Sequence, residues 1–332
     1  MKKAVTLVDI AERCGTSNVT VSKALAGKEG VSAELREKIK KVAAELGYTV
    51  SKGAATKKNR NIGVLIPEKF INPNGSFYWA LYNSLVKDFK RKNFYCIMEI
   101  LTQEDEEKLV LPRMISEKKI CGLVSLGQTD AAYAKKLAAN TDCMILLDYY
   151  VAGLELDCVL TNGYSGAYKI TNHLIEMGHT EIGYIGSLFA TSSILDRYMG
   201  YCKSMLEHGL EVKKEWTIAD RDDKGLFIEM DFPEKLPTAF VCNCDEAAFH
   251  AIKQLKAKGY EIPDDISIVG YDNYLISEIS DPTITTVAIE ADVMAAETVE
   301  LVERRLDHPN YLPYVKNMEG TVCLKESVKK LK

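Results

Sequence analysis

The stretch from residue 6 to residue 47, TLVDIAERCGTSNVTVSKALAGKEGVSAELREKIKKVAAELG, predicts three short helices around one small core. Thr6 is placed to cap the first helix, and Asp9, three residues later, is the acid that completes a capping box. Gly15 breaks this helix because glycine tolerates the left-handed backbone that ends a helix. The apolar face of the first helix is formed by Ile10, Ala11 and Cys14, which recur at helical spacing.

Two further helices follow the same rules of capping and spacing. Ser17 caps a second helix over 18–25, and Ser32 caps a third helix that Gly47 ends. Small residues at 11 and 15 let the first two helices cross closely at a tight turn, which is the geometry of a helix-turn-helix. The predicted core positions of the second and third helices are Val21, Ala24, Leu25, Leu35, Ile39, Val42, Ala43 and Leu46.

The second helix carries a set of side chains suited to the DNA major groove on the face turned away from the core. Asn18 can pair with an adenine edge, Val19 can touch a thymine methyl group, and Lys23 can reach guanine or a phosphate. The capping hydroxyls can donate to phosphates at the helix N-termini. Taken singly, each residue is also an ordinary cap or solvent-facing side chain, so the prediction depends on their combination. The predicted DNA-binding residues of this stretch are Thr6, Ser17, Asn18, Val19, Thr20, Ser22, Lys23 and Ser32.

Charge is divided unevenly along the chain. Residues 1–60 carry 13 Lys and Arg against 6 Asp and Glu, a net charge of +7, whereas the remaining residues carry 29 against 41, a net charge of −12. A basic head on an acidic body favours a polyanion as the partner of the head. Lysine-rich helices are also common on solvated surfaces, so charge alone leaves that alternative open.

Composition and cysteine usage indicate a cytoplasmic protein. No apolar run reaches the about 18 residues of a membrane helix, and the N-terminus lacks the apolar segment of a secretory signal. The nine cysteines are scattered and odd in number, which favours reduced thiols over a disulfide framework. Cys242 and Cys244 form a close pair but have no second Cys or His pair nearby, so we expect no metal site and no cofactor.

After residue 62 the pattern changes to apolar, strand-like runs that alternate with amphipathic segments. Alternation of this kind predicts parallel sheets covered by helices, and about 270 residues favour two lobes over one sheet. The predicted strands are 62–66, 95–100, 122–126, 144–147, 158–160, 182–185, 239–242 and 266–269. The predicted helices are 78–92, 104–118, 165–177, 194–208 and 246–258. Between head and body, 48–61 is polar and basic and is expected to be a linker.

Several motifs resemble those of the LacI/GalR family of bacterial transcription regulators. The head carries V-T-L-x-D-I-A-x-x-x-G-x-S-x-x-T-V-S-x-x-L-x-G from residue 5 to residue 27, and the body carries IGVLIP at 62–67, IGYIG at 182–186 and PDDISIVGYDN at 263–273. The resemblance spans essentially the whole chain. It implies a helix-turn-helix DNA-binding domain over 1–47, a hinge over 48–61, and a two-lobed, periplasmic-binding-protein-like core over 62–332 that binds effector in its cleft and dimerises.

The head and the hinge depart from the family pattern. Lys23 stands where the family usually has Arg, which weakens bidentate recognition of guanine. Ala26 replaces a common Asn, Val50 replaces a Pro, and no Leu follows Ala54 to wedge into the minor groove. We therefore expect a hinge that binds the minor groove through charge. The hinge residues predicted to contact DNA are Lys52 and Lys57, with Lys58 and Arg60 adding to the positive charge.

The same resemblance identifies candidate effector-binding residues. Asp272 matches the family's ligand carboxylate, Arg197 its ligand arginine and Phe77 its cleft aromatic. Each also has an ordinary alternative, as a loop cap, a surface charge or a core aromatic. Cys244 stands where an Asn is usual and Thr161 where an Asp is usual, so the two best partners for sugar hydroxyl groups are altered.

The interpretation is an α/β protein that acts as a DNA-binding transcription repressor with a small-molecule effector, a sugar. Resemblance and the short recognition helix both imply a homodimer on a pseudo-palindromic operator. No catalytic motif such as H-E-x-x-H, G-x-S-x-G or a P-loop occurs, so we expect no enzyme activity. The alternatives are a sugar-binding module that does not act through DNA, and a family member that has lost its effector response.

Overall fold

The computed structural model describes residues 5–25, 29–46, 48, 59–71 and 77–331, in two compact units divided between Lys58 and Asn59. The smaller unit contains three helices, α1 (Leu7–Cys14), α2 (Asn18–Leu25) and α3 (Ala33–Glu45). The predicted capping box is present, since Thr6 Oγ1 accepts from the Asp9 amide and Asp9 accepts from the Thr6 amide. Gly15 ends α1 with a φ of 68°, which confirms its predicted role.

The three helices of the smaller unit enclose one apolar core. Ser17 Oγ accepts from the Thr20 amide at 3.1 Å, and Ser32 Oγ accepts from the Leu35 amide at 3.3 Å, so both predicted caps are formed. Gly47, the predicted end of α3, lies outside the described residues. The buried apolar residues are Ile10, Ala11, Cys14, Val21, Ala24, Ile39 and Ala43, with Leu25, Leu35, Val42 and Leu46 packed against them.

The larger unit contains two parallel sheets, as the alternating pattern predicts. One has six strands in the order β11-β5-β4-β3-β1-β2, and the other has four in the order β7-β6-β8-β9. β10 and β12 form a separate antiparallel pair. The strands are β1 (Asn61–Pro67), β2 (Tyr95–Leu101), β3 (Gly122–Leu126), β4 (Met144–Leu147), β5 (Asp157–Thr161), β6 (Ile182–Ile185), β7 (Thr217–Ile218), β8 (Ala239–Cys242), β9 (Ser267–Val269), β10 (Thr286–Ala288), β11 (Val315–Met318) and β12 (Thr321–Cys323).

Helices cover both sheets, and the chain leaves the first sheet and later returns to it. β11 follows all strands of the four-stranded sheet in sequence but pairs with β5, so the first lobe is discontinuous. The helices are α4 (Phe77–Arg91), α5 (Gln103–Glu107), α6 (Arg113–Ser116), α7 (Ala131–Ala138), α8 (Gly163–Glu176), α9 (Ser192–Glu207), α10 (Asp245–Ala257), α11 (Leu275–Ile279) and α12 (Ala291–Asp307).

The structure corrects the predicted helix over 104–118. Two short helices, α5 and α6, replace it, and Leu109 between them has a φ of 55° that no continuous helix allows. Pro112 caps α6, whose first amides donate to the Glu99 carboxylate. The helices α7, α11 and α12, and the strands β7, β10, β11 and β12, are elements that the pattern did not predict.

Helices α8 and α9 cross with almost no space between their backbones. A Cβ atom at Gly200 of α9 would lie 2.1 Å from the Tyr164 carbonyl oxygen and 3.0 Å from the Tyr168 amide nitrogen, both on α8. Real Cβ atoms do not approach backbone this closely. Glycine at this position is therefore required by the crossing, which fixes α9 and the side chains that α9 carries.

Gly200→Ala is expected to lower the free energy of unfolding by about 3 kcal/mol or more, because the backbones of α8 and α9 must separate. Urea denaturation followed by circular dichroism measures the change. Met199→Ala is the matched control on the same helix, since Met199 is exposed, and should stay within about 0.5 kcal/mol of the wild type. Wild-type stability in Gly200→Ala would contradict the close crossing.

Candidate functional site

The outer face of α2 is a candidate nucleic-acid interface. Val21 and Ala24 point into the core, which turns the remaining side chains of α2 to solvent. Val19 is 64% exposed, so its methyl groups are available to a partner on this face. The predicted DNA-binding residues Thr6, Ser17, Asn18, Val19, Ser22, Lys23 and Ser32 are exposed and Thr20 is half-buried.

This surface has the size and chemistry to enter a major groove. Amide, hydroxyl, ammonium and methyl groups project from one short helix, and such groups recognise base edges. The hydroxyls of Ser17 and Thr20 lie 2.9 Å apart at the start of α2, where backbone amides favour a phosphate. Lys52 and Lys57, together with the departures at Ala26, Val50 and Ala54, lie outside the described residues.

The larger unit holds a candidate effector cavity of about 250 Å³ between its two sheets. Part of its wall comes from residues that closely follow strands. Asp148 follows β4 in the six-stranded sheet, whereas Arg221, Cys244 and Asp272 follow β7, β8 and β9 in the four-stranded sheet. The carboxyl ends of parallel strands are where ligands bind in open α/β sheets.

Four of the five predicted effector residues meet in this cavity. Phe77, Arg197, Cys244 and Asp272 all line it, although they are far apart in sequence. Thr161 does not line this cavity and instead lines an adjoining pocket. Its hydroxyl donates to Asp148 Oδ1 at 3.3 Å and so orients a cavity carboxylate.

The guanidinium of Arg197 is buried at the centre of the site, with 5% of the residue exposed. Nη1 donates to the Asn243 carbonyl at 2.5 Å, and Nη2 donates to Asp272 Oδ1 at 3.4 Å. The guanidinium carbon, Cζ, lies 3.8 Å from the ring centroid of Tyr271. Among the described residues Nε has no hydrogen-bond partner, so Arg197 retains donor capacity that its neighbours do not use.

Two of the cavity carboxylates, which closely follow strands β4 and β9, occupy unusual backbone positions. Asp148 has a φ of 65° and Asp272 a φ of 107°, both in the region that favours glycine. Such conformations concentrate at functional sites, where the surrounding structure holds them. Asp148 also accepts a hydrogen bond of 2.9 Å from the Tyr78 hydroxyl.

Burial dominates the electrostatics of both carboxylates. It raises the pKa of Asp272 to about 7, with the nearby charge of Asp148 adding to the rise and the Arg197 guanidinium opposing it. Burial likewise raises the pKa of Asp148, while Arg197 and the hydrogen bonds from Tyr78 and Thr161 oppose the shift. Because burial disfavours the ionised form of both carboxylates, each would gain from further hydrogen-bond donors on a ligand.

Arg221 is a second cavity arginine that the sequence did not point to. It pairs with buried Asp220 at 3.1 Å, and its Nη2 donates to Asn243 Oδ1 at 3.3 Å and to Cys244 Sγ at 3.6 Å. The Asn243 amide in turn donates to Asp220 at 2.6 Å. Burial raises the pKa of the Cys244 thiol to about 12, so this thiol is neutral near pH 7.

Asp148 could have been found from the sequence, because it directly follows a predicted strand. Asp272 likewise follows a predicted strand within a few residues. Arg221 follows the two-residue strand β7, which is too short to show a pattern.

The described residues contain no cluster of His, Cys, Asp or Glu arranged to hold a metal ion. Among the described helices, none is long and apolar enough to cross a bilayer.

Replacing Asp272 by Asn is expected to make stability less sensitive to pH. The raised pKa means that the folded protein binds more protons than the unfolded chain between about pH 4 and 7, so the unfolding free energy of the wild type falls as pH rises through that window. The advantage of the variant over the wild type should therefore grow by roughly 2 to 3 kcal/mol between pH 5 and pH 8.

Urea denaturation at both pH values measures this difference. The charged groups that face Asp272 are Asp148, Arg197, Arg221 and Glu246, and they remain in the variant. Asp307→Asn, at an exposed carboxylate that ends α12, is the matched control and should show no such growth. An equal difference at pH 5 and pH 8 for Asp272→Asn would contradict the raised pKa.

Family models match both parts of the chain. The lacI family of bacterial regulatory proteins matches residues 6–51, and a periplasmic binding protein-like domain matches residues 171–328. The chain is 29% identical over 337 residues to the HTH-type transcriptional repressor PurR of Actinobacillus pleuropneumoniae serotype 3 (strain JL03), which covers 98% of this chain and 99% of that protein.

Solved structures share the fold at lower identity. The transcriptional regulator CelR–cellobiose complex has a TM-score of 0.71 and 21% identity, covering 97% of this chain and 99% of that chain. The lac repressor dimer bound to operator and the anti-inducer ONPF has a TM-score of 0.69 and 20% identity, covering 98% of this chain and 100% of that chain. The chain therefore carries a lacI-family helix-turn-helix domain and a periplasmic-binding-protein-like domain, and it is a DNA-binding transcription regulator controlled by an effector.

Proposed function

We propose that the outer face of α2 recognises one half of a pseudo-palindromic operator. Asn18, Val19 and Lys23 contact base edges, and the capping hydroxyls contact phosphates. Asn18, Val19 and Lys23 are all exposed on one face of α2, which supports this assignment. Lys52 and Lys57 add electrostatic contacts to the minor groove, in keeping with a basic linker without a leucine.

The operator is bound by two copies of the chain. A helix of eight residues reaches few base pairs, and a second copy doubles the recognised sequence. The lac repressor dimer on its operator supports the same arrangement here.

A protein that acts on chromosomal DNA works in the cytoplasm, and the proposed role is repression without enzyme activity.

The effector is a neutral, hydroxyl-rich molecule, a sugar. The observation that carries this proposal is the pair of buried carboxylates, Asp148 and Asp272, beside the spare donor of Arg197 and the ring of Phe77. Carboxylates accept from sugar hydroxyls, a guanidinium donates to them, and an aromatic ring packs on their C–H face. The cellobiose complex of the related fold supports a sugar in this cleft.

Control of DNA binding follows from the position of the cavity. Its walls belong to both sheets, so a bound sugar favours the arrangement of the two sheets in which both sets of contacts form. An effector changes operator affinity only by as much as its affinity differs between the arrangements. A neutral ligand suits the cavity because Arg197 and Arg221 already face Asp272 and Asp220.

Lys23→Ala is expected to lower the ratio of specific to non-specific DNA affinity by about tenfold, because a base contact contributes about 1–3 kcal/mol of discrimination. The operator is obtained by selection from a random duplex library, and affinities are measured by fluorescence anisotropy at several salt concentrations. Lys41→Ala, an exposed lysine on α3, removes the same charge and should leave the ratio within about twofold. Equal ratios for both variants would argue against base recognition by Lys23.

Asp272→Ala is expected to abolish the effector response while operator binding persists, because Asp272 lies in the cavity and the operator contacts lie in the smaller unit. A thermal-shift screen of sugars and nucleosides finds the effector with the wild type. The hits are then tested on the variant, with Asp307→Ala as the control. A variant that still responds to the same sugar would remove Asp272 from the site, and hits confined to nucleosides would reject a sugar effector.

A further inference from the structure

A second, larger pocket adjoins the effector cavity. It measures about 780 Å³ and lies between the chain after β4, the start of α8, the first turn of α9 and the start of β11. Asp148 and Ser193 line both spaces, so they mark the point where the two meet. We call this space the outer pocket, and its aromatic and acidic lining consists of Tyr149, Tyr150, Tyr164, Asp148, Glu155 and Asp196.

The outer pocket is lined by one buried tyrosine and two exposed tyrosines. Tyr149 is buried and held in place, since its hydroxyl lies 2.7 Å from Ser125 Oγ and 3.1 Å from Thr129 Oγ1. Tyr150 and Tyr164 are 43% and 40% exposed, so their rings are open to a ligand. Aromatic rings with an apolar body and a polar edge suit a ligand with C–H faces and hydroxyl groups.

Asp196 gives the outer pocket an unused hydrogen-bond acceptor. Its carboxylate is half-buried, and in the described part of the chain it has neither a hydrogen-bond partner nor an ion-pair partner within salt-bridge distance. Its negative charge is the main cause of the raised pKa of Tyr150, which indicates that the two side chains lie near each other. A half-buried carboxylate without partners gains free energy when a ligand supplies donors.

The volumes indicate how much ligand each space can hold. The effector cavity, at about 250 Å³, lies below the range of about 300–1,000 Å³ that small-molecule pockets usually have, whereas the outer pocket, at about 780 Å³, lies within it. A ligand confined to the inner cavity is therefore a single ring. A ligand that also contacts Asp196 and the tyrosine rings of the outer pocket extends past Asp148.

We infer that the effector contains at least two linked rings, as a disaccharide does. The first ring lies between Asp148, Asp272 and Arg197, and the second lies in the outer pocket, packed on Tyr150 and donating hydroxyl groups to Asp196. This inference rests on the proposed sugar effector and specifies its size. It makes Asp196 and Tyr150 the residues that distinguish a disaccharide from its component monosaccharide.

Isothermal titration calorimetry with matched sugars tests the inference on the full chain. The probes are cellobiose, maltose and sucrose, together with glucose and fructose, their components. The wild type should bind one of the disaccharides at least about tenfold more tightly than its components, a difference of about 1.4 kcal/mol. Asp196→Asn and Tyr150→Ala should each lower this affinity ratio by about tenfold, while Asp307→Asn should leave the ratio within about twofold.

The possible results separate the subsite from the sugar effector itself. If sugars bind and Asp272→Ala abolishes their binding, but Asp196→Asn and Tyr150→Ala leave the ratio unchanged, the outer pocket has no role and the sugar effector stands. A wild-type protein that prefers the monosaccharides also overturns the two-ring ligand. A wild type that binds none of the five sugars rejects the proposed effector class and the subsite together.

Discussion

The buried guanidinium of Arg197 is the contact on which the arrangement of the cleft depends. It joins the backbone after β8 to the carboxylate after β9, and it stacks on Tyr271 of the same strand end. A Cβ at Gly163, the first residue of α8, would lie 3.0 Å from Arg197 Cγ, so the glycine also leaves room for this side chain. A buried cation is tolerated only when acids and acceptors surround it, which ties the positions of these elements together.

Placement of Arg197 in turn depends on backbone packing at some distance from the cavity. Helix α9 carries Arg197 and lies against α8 at Gly200, three residues further along the chain. Two of the cavity carboxylates, Asp148 and Asp272, have a positive φ close to the ends of their strands. The cavity therefore combines a rigidly placed cation with acids whose backbone conformation is held by tertiary contacts, and burial keeps those acids ready to accept ligand donors.

The smaller and the larger unit have different proposed roles in regulation, because they differ in charge and in the surfaces that they expose. The smaller unit has a small core and leaves the polar face of α2 exposed. In the proposed function, phosphates supply most of its affinity for DNA and a few side chains, Lys23 among them, supply the selectivity. The larger unit contains the cavity, and the proposed two-ring sugar would contact both of its sheets.

Local patterns were sufficient to predict the head, most strands and the class of the protein. Caps at Thr6, Ser17 and Ser32 and the spacing of apolar residues depend on neighbours within about four positions, so they can be recognised without a structure. The family resemblance identified four residues that line the cavity. The break between α5 and α6 escaped prediction because the Glu99 carboxylate from a neighbouring strand binds the amides that begin α6.

Contacts between distant segments explain the remaining features of the site. Arg221 lines the cavity because Asp220, Asn243 and Cys244 surround it, and the ends of two different strands, β7 and β8, bring these residues together. Thr161 acts through Asp148, a partner thirteen positions away whose identity no local pattern shows. The outer pocket exists because β11 returns to the first sheet beside β5. Burial, pairing and cavity size arise from such long-range packing, since each depends on which strand ends the fold places side by side.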